Sequence, residues 1–304
     1  MDRLEAMSIL LLTIDKGSFT AAARTLGMPL PTVSRKVSEL EAHLGVQLLV
    51  RSTRRLALTE AGAAYAETAR RILGEVEEAE RVAAGEFAAP RGELVITAPV
   101  LFGQLHVLPI VTEFLAAYPE IRVRFLLSDR NLHLIEDHID MAVRIGSLPD
   151  SSMVATRVGE MPTVLCASPA LLVRQGMPQR PEDLVRFPCI GFEGLAARPT
   201  WRFKRAERRF EMPVSPRLTV TTAAAAVLAA EQGVGATQLY RYQCEEALGR
   251  GALRAILTAF QPDAAPVSLL HAARGALPLK MRVFLDYAAR RLRARLTQLS
   301  SSAA

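Results

Sequence analysis

Cysteine is scarce in these 304 residues, occurring only at Cys166, Cys189 and Cys244. The three are odd in number and far apart, and no Cys-x-x-Cys occurs, so no structural zinc site of the usual spacing is expected. A redox switch would require two of them to meet in space. Otherwise free cysteines behave as small buried hydrophobes. Long apolar runs are also missing. The most apolar stretches, such as Ala223–Ala230, are short and end in charge or glycine, so no membrane span is expected. The N-terminus mixes Asp2, Arg3 and Glu5 ahead of Ile9–Leu12, with no small-residue cleavage site behind them, which is unlike a signal peptide. A soluble cytoplasmic protein is the expectation. Catalytic patterns are lacking as well. His43, His106, His133, His138 and His271 are scattered, and His133 and His138 are five apart, a poor spacing for two ligands on one helix face. No Gly-x-Ser-x-Gly, phosphate-binding loop or His-Glu-x-x-His occurs. No enzyme, metal or cofactor is expected, and a domain that binds without reacting explains the chain more simply.

What the chain does have is length for two or three domains, a 50% hydrophobic composition and a net charge of +6. A cationic chain suits a polyanion, but the location of the charge decides. Between Arg24 and Arg55 there are six Lys/Arg against Glu39 and Glu41; between Lys280 and Arg295 there are six against Asp286. The second group lies on a patterned helix and reads as a solvated face. The first lies in a motif.

That motif begins with a helix over 2–15, from the spacing of Leu4, Met7, Leu11 and Ile14. Ser18 is placed to cap a second, Ala-rich helix that Gly27 stops. A third opens at Pro31, where the missing N–H costs nothing, and Gly45 ends it. Val33, Val37, Leu40 and Leu44 form its apolar stripe, while Thr32, Ser34, Arg35 and Lys36 lie off it. Hydroxyls and cations at the start of an otherwise buried helix suit phosphates and base edges in a major groove. Val46–Val50 and Arg55–Leu58 read as a hairpin whose connection carries Arg51, Ser52, Thr53 and Arg54, a basic wing. Thr59 caps a long helix to about Gly85. Its Tyr65, Ala69, Ile72, Val76, Ala79 and Ala83 recur at alternating spacings of four and three, a heptad seam that a second copy would cover. At 1.5 Å per residue the helix spans roughly 40 Å. Gly85–Gly92, with Pro90, reads as a hinge.

From residue 93 strands and helices alternate: strands at Leu94–Thr97, Ile121–Leu127, Met141–Ile145, Val164–Ala167 and Pro266–Leu270, helices at Gly103–Ala117, Asn131–Asp137, from Pro169, Ala223–Glu231 and Leu279–Arg295. This order predicts a parallel sheet flanked by helices. Trp201–Phe203 and Arg209–Met212 read as a hairpin with Lys204, Arg205 and Arg208 at its tip.

The runs Gly17-Ser-Phe-Thr-Ala-Ala-Ala-Arg-Thr-Leu, Pro31-Thr-Val-Ser-Arg-Lys-Val-Ser-Glu-Leu-Glu-Ala-His-Leu-Gly, Leu48-Leu-Val-Arg-Ser-Thr-Arg-Arg and Leu58-Thr-Glu-Ala-Gly resemble the LysR-type transcriptional regulators. The resemblance implies an α/β chain: an N-terminal winged helix-turn-helix (1–58), a linker and dimerisation helix (59–86), a hinge (87–92) and a two-lobed effector domain of the type 2 periplasmic-binding-protein kind (93–304). Lobe one would comprise 93–161 and 267–304, and lobe two 162–266. It also implies DNA contact at the positions of Pro31, Ser34, Arg35 and Arg54, with Arg51 supporting the wing. With the motif's other polar residues the candidate DNA-binding set is Ser18, Thr20, Pro31, Thr32, Ser34, Arg35, Lys36, Arg51, Thr53, Arg54 and Arg55. Leu30 is a departure, since many members carry there a glutamine that reads a base. A small-molecule effector would sit between the lobes, lined by strand ends and helix starts: Pro99, Val100, Leu101, Ser128, Gly146, Ser147, Thr221 and Thr222. Helix N-termini favour an anionic group, although Thr222 also reads simply as a cap. Partners implied are double-stranded DNA, the effector and further copies of the chain, as a homodimer through the linker helix and a homotetramer, with RNA polymerase as another candidate. An architectural DNA protein without a ligand would show no effector-dependent footprint. An enzyme or solute-binding protein with a fused helical head would turn over or capture a small molecule.

Overall fold

The computed structural model describes residues 1–51, 56–83, 89–130, 132–148, 153–192, 200–272 and 277–302. The chain forms two compact units, Met1–Ala89 and Pro90–Ala304.

In the first unit, α1 (Arg3–Asp15), α2 (Phe19–Leu26) and α3 (Leu30–Leu44) precede the antiparallel pair β1 (Leu49–Arg51) and β2 (Leu56–Leu58), followed by α4 (Glu60–Ala83). The punctuation is chemical. Ser18 Oγ accepts the Ala21 N–H at 3.1 Å, and Gly27 and Gly45 close α2 and α3 in the left-handed conformation, which glycine adopts without steric penalty. Ala6, Ile9 and Leu10 of α1 join Ala22, Ala23, Val33, Val37, Leu40, Leu48 and Leu49 in one core. The stripe of α1 expected from spacing does something else: Met7, Leu11 and Ile14 pack on Tyr65, Ala66, Ala69 and Leu73 of α4. Helix α1 is thus apolar on two faces. Leu44, expected in the stripe of α3, is exposed, and β1 starts at Leu49 rather than Val46 because the chain first has to leave α3. Residues 84–88, which include the expected start of the hinge, lie outside the described residues.

The second unit has two lobes. The first is built on the sheet β4-β3-β5-β14-β6, from β3 (Gly92–Ala98), β4 (Ile121–Leu127), β5 (Met141–Ile145), β6 (Met153–Met161) and β14 (Ala265–Ala272). Strands β3, β4 and β5 run parallel, but β14 pairs antiparallel with both β5 and β6. The sheet is therefore mixed rather than parallel, because the chain re-enters this lobe through β14 against the direction of β5. Between β3 and β4 runs a continuous helical segment: α5 (Val100–Phe102), a π-turn at Gly103–Val107 and α6 (Leu108–Ala117). Contrary to the sequence expectation, this segment is long and apolar enough to cross a membrane. Here its Phe102, Val107, Ile110, Val111 and Phe114 face Leu94, Ile96, Met141 and Phe284 in the lobe core, as in a core helix. Of the helix expected at Asn131–Asp137, Asn131 lies outside the described residues and the rest forms a turn, with Asp137 Oδ2 accepting the His133 N–H at 2.8 Å.

The second lobe holds β7 (Thr163–Ala167), α7 (Pro169–Gln175), β8 (Cys189–Phe192), the hairpin β9 (Thr200–Arg205) and β10 (Arg208–Pro213), β11 (Pro216–Val220), α8 (Ala223–Glu231), β12 (Thr237–Tyr240), α9 (Arg241–Gly249) and β13 (Arg254–Ile256). Sheet β12-β7-β13 is bridged to β8 and β11 through Cys189 and Ala236. The basic hairpin is tied to its own lobe: Lys204 pairs with Asp263 and Arg205 with Glu182, at 2.8 and 2.7 Å. The final helix α10 (Leu279–Ser302) buries Phe284, Ala288, Leu292 and Leu296, and its cations Arg291 and Arg295 pair with Glu113. All three cysteines are buried. Cys166 and Cys244 meet in the lobe core, where the hydrogen bond between their thiols and then burial push the Cys166 thiol up; burial pushes Cys189 up to about 12. Suppressed thiolates are poor nucleophiles, so Cys166 and Cys189 behave as small buried residues.

Candidate DNA interface and effector cleft

The N-terminal end of α3 stands clear of the core that Val33, Val37 and Leu40 anchor. Leu30, Pro31 and Arg35 are exposed there, and Thr32 and Ser34 are half-buried. The Arg35 side chain is 69% exposed, with Glu39 at 3.7 Å on the next turn, so the guanidinium is tethered loosely and can reach outward. Lys36 behaves differently. It turns back to an ion pair with Glu5 of α1 and is only 21% exposed, which stitches α3 to α1 and takes this cation away from the outward set. The Ser18 hydroxyl is engaged as the cap of α2, and Thr20 beside it is exposed. In the wing, the Arg51 backbone pairs with Leu56; Thr53, Arg54 and Arg55 lie outside the described residues.

One residue that fixes this end of the unit, Glu41, escapes single-residue reading, and a second, Thr59, does more than cap α4. Glu41 Oε1 accepts the N–H groups of Leu48 and Leu49 at 2.8 and 3.1 Å, which pins the start of the wing to α3. On the other side, Thr59 N–H donates to the Leu48 carbonyl at 3.0 Å, while the Thr59 hydroxyl caps Gly62 at 2.9 Å. A Cβ on Gly62 would lie 1.9 Å from the Leu48 carbonyl oxygen. Helix α3, the start of the β1–β2 pair and helix α4 therefore converge on one buried residue, Leu48.

In the second unit, the backbone brings part of the candidate effector set together. Pro99 precedes α5, with Val100 and Leu101 in its first turn, and Ser128 N–H donates to the Ala98 carbonyl at 3.0 Å. The neighbouring Asp129 accepts the Val100 N–H through Oδ1 at 3.0 Å. The chain thus supplies its own carboxylate where an anionic ligand group was expected. The Ser128 hydroxyl is also used locally, bonding the Arg130 backbone at 3.1 Å in both directions. Gly146, at φ 113°, is joined to this wall from the other lobe: Tyr240 donates its hydroxyl to the Ile145 carbonyl at 3.3 Å, and a Cβ on Gly146 would lie 3.4 Å from that hydroxyl. Ser147 is exposed. Thr221 and Thr222 are on the second lobe, both exposed, with Thr222 Oγ1 capping α8 through Ala225 N–H at 3.3 Å.

Where the lobes meet, Tyr242 stacks on Tyr240 within its own lobe and meets the rings of the first lobe edge-on. Tyr240 lies 6.3 Å from Tyr242, whose ring is 5.5 Å from Phe102 and 5.9 Å from His106. Burial raises the phenol pKa of Tyr240 and Tyr242. Burial, then the nearby Arg295, lowers that of His106, so this ring is neutral near pH 7. Among the described residues no group of His, Cys, Asp and Glu could hold a metal ion. The junction is thus an aromatic wall next to one carboxylate.

Residues 4–63 match the family model described as "Bacterial regulatory helix-turn-helix protein, lysR family", and residues 88–293 match "LysR substrate binding domain". The chain is 36% identical to an HTH-type transcriptional regulator of Xanthomonas campestris pv. campestris, over 92% of this chain and 82% of that one. It is 33% identical to the HTH-type transcriptional activator AaeR of Escherichia coli K12, covering 94% and 93% of the two chains. Among solved structures, CrgA of Neisseria meningitidis, described as a LysR-type transcriptional regulator, superposes with a TM-score of 0.58 at 31% identity, covering 95% of this chain and 98% of that one. A full-length variant of AphB gives 0.61 at 25%, covering 95% and 99%.

Proposed function

Because the chain belongs to the LysR family of bacterial transcriptional regulators, whose DNA-binding and effector-binding domains it carries in order, we propose that α3 is the element that reads operator bases and that Arg35 is its principal reader. Pro31, Thr32 and Ser34 contact the same strand's backbone and base edges, and the basic wing 51–55 contacts phosphates. The observation that carries this reading is the exposed N-terminal end of α3, an outward arginine on a helix whose opposite face is fully buried. In this reading the protein works in the cytoplasm as a homodimer through Ile72, Val76 and Ala79 of α4, half-buried and exposed seam residues that are not among those packing on α1. It assembles further to a tetramer, contacts RNA polymerase and turns over no substrate. The effector enters between the lobes against Pro99, Val100, Leu101, Ser128, Gly146 and Ser147, with Thr221 and Thr222 opposite. Asp129 at the Val100 N–H favours an effector with a neutral or cationic group at that end over a carboxylate.

Replacing Arg35 with alanine is expected to weaken specific operator binding by about 1–3 kcal/mol, the worth of a good base contact, while binding to a scrambled duplex falls less. Fluorescence anisotropy on the two duplexes at one salt concentration measures both. Equal losses would assign Arg35 to phosphate and move the base reading elsewhere.

A further inference from the structure

One titratable side chain is enclosed where the two lobes of the second unit meet, and neither DNA reading nor the effector positions make use of it. His106 lies inside the π-turn Gly103–Val107. Its ring packs against Phe102, one turn earlier, at 4.8 Å, and against Tyr242, which reaches it from α9 of the second lobe, at 5.9 Å. Its Nε2 is buried with no hydrogen-bond partner among the described residues. The π-turn is seated tightly on its own sheet: a Cβ on Gly103 would lie 2.3 Å from Leu127 and 3.2 Å from both Ala98 and Phe125. Tyr242 comes from the other lobe, yet it is only 9% exposed and belongs to the first-lobe core with Phe102, Ile110 and Phe284.

The groups packed against the imidazole favour its neutral form. Strand β3 presents Leu94, Ile96 and Ala98 to this helix. Helix α9 presents the Tyr242 phenol, which burial and then the charge of Asp129 keep protonated. Helix α10 presents Arg295, a like charge for an imidazolium. The carboxylate of Glu113, two turns on in α6, is held by Arg291 and Arg295 at 2.8 and 3.7 Å, and Asp129 is bonded to the Val100 N–H.

We propose that His106 is a pH-sensitive latch between the lobes: as a neutral imidazole it keeps Tyr242 docked in the first lobe, and on protonation it releases it. Burial, then Arg295, lowers the His106 pKa, so the closed junction excludes the proton and the open one, which gives the ring water, takes it up. Opening is therefore favoured as the pH falls below the ordinary imidazole range and is indifferent to pH above it. The same helix begins with Val100 and Leu101, so release also loosens the wall to which the effector is assigned. The latch itself stands independently of that assignment.

Hydrogen exchange on the full-length chain tests it at about pH 7.5 and about pH 5.5, with rates corrected for the intrinsic effect of pH. One proton taken up across this range raises the open fraction by about tenfold. Protection of the amides in residues 100–107 and 240–247 should fall by that factor, while strands β3 and β7 keep theirs. His106→Phe retains an aromatic ring and cannot titrate, so its protection should be the same at both pH values. His106→Gln, smaller and equally unable to titrate, gives the same comparison where a phenyl ring overfills the site. In a carbon NMR titration the His106 imidazole, identified by its loss from the variants, should titrate below the ordinary range. Equal loss of protection in the native chain and both variants overturns the proposal by giving the pH response to another group. A native junction equally protected at both pH values overturns it as well, as does an imidazole that titrates at its ordinary value.

Discussion

Gly62→Ala is expected to destabilise the DNA-binding unit by about 2 kcal/mol, although alanine is the better helix former by about 1 kcal/mol. The reason is the partner. The added Cβ would meet the carbonyl oxygen, carbonyl carbon and Cα of Leu48 at 1.9, 2.8 and 3.1 Å, and none of these is the movable end of a side chain. Leu48 is 1% exposed and held from its other side by Glu41, so it cannot retreat without lifting β1 from α3. Overpacking of this kind costs about 1–3 kcal/mol and more where the neighbour is rigid, which outweighs the gain in helix propensity. The melting temperature of this unit should fall by roughly 10 °C. Hydrogen exchange on the intact chain localises the effect: amides in residues 3–58 should lose protection while those of the strands β3 and β5 keep theirs. Unchanged exchange in residues 3–58 would mean that α4 and β1 are not in contact at this glycine.

The double variant Ile72→Asp, Val76→Asp is expected to be monomeric and to lose operator affinity by about a hundredfold or more. Neither side chain belongs to the cluster in which α4 packs on α1; that role falls to Tyr65, Ala66, Ala69 and Leu73. The substitutions therefore leave the DNA-binding unit intact and place four carboxylates at the seam of two paired helices. Separating the copies removes the second half-site contact, and with it the avidity that a linked pair gains at roughly 10²–10⁴-fold. Sedimentation at micromolar concentration and anisotropy on the operator duplex measure the two effects. A native oligomer in the double variant would assign the main contact between copies to a surface other than α4.

How much of this is legible in the sequence depends on whether a signal is local. The caps and stops at Ser18, Gly27, Gly45, Thr59 and Thr222 are readable because each acts within three or four residues of itself. The strands Ile121–Leu127 and Met141–Ile145 are readable to the residue from alternation and continuous apolar character. Strand β6 is not. Gly159 interrupts it where Leu296 of α10 presses within 2.6 Å of a would-be Cβ, and polar and small residues fill much of the rest, so neither pattern nor composition marks it. Of the heptad seam, Tyr65 and Ala69 pack on α1 within the same chain, and a seam drawn through Ile72 overlooks Leu73, which faces α1; spacing alone does not say which part of α4 its own chain covers. Asn131–Asp137 has helical spacing, yet Asp137 folds back on His133 N–H and His138 takes a positive φ of 52°, which ends the turn after one cycle. In the effector domain, the residues that occupy the expected ligand positions act across long sequence separations. Asp129 caps Val100 from 29 residues away, and Tyr240 reaches Ile145 from 95, and no periodicity reports such contacts.

The claim that two copies of α3, joined through α4, read DNA together is tested most directly by the duplex that the full-length native chain selects from a random library. The account predicts enrichment of an inverted repeat whose half-site centres are one helical turn apart or a multiple of it, with protection of both halves appearing at the same protein concentration in a footprint. A single enriched half-site, direct repeats without a two-fold axis, or no enrichment over the starting library would contradict it.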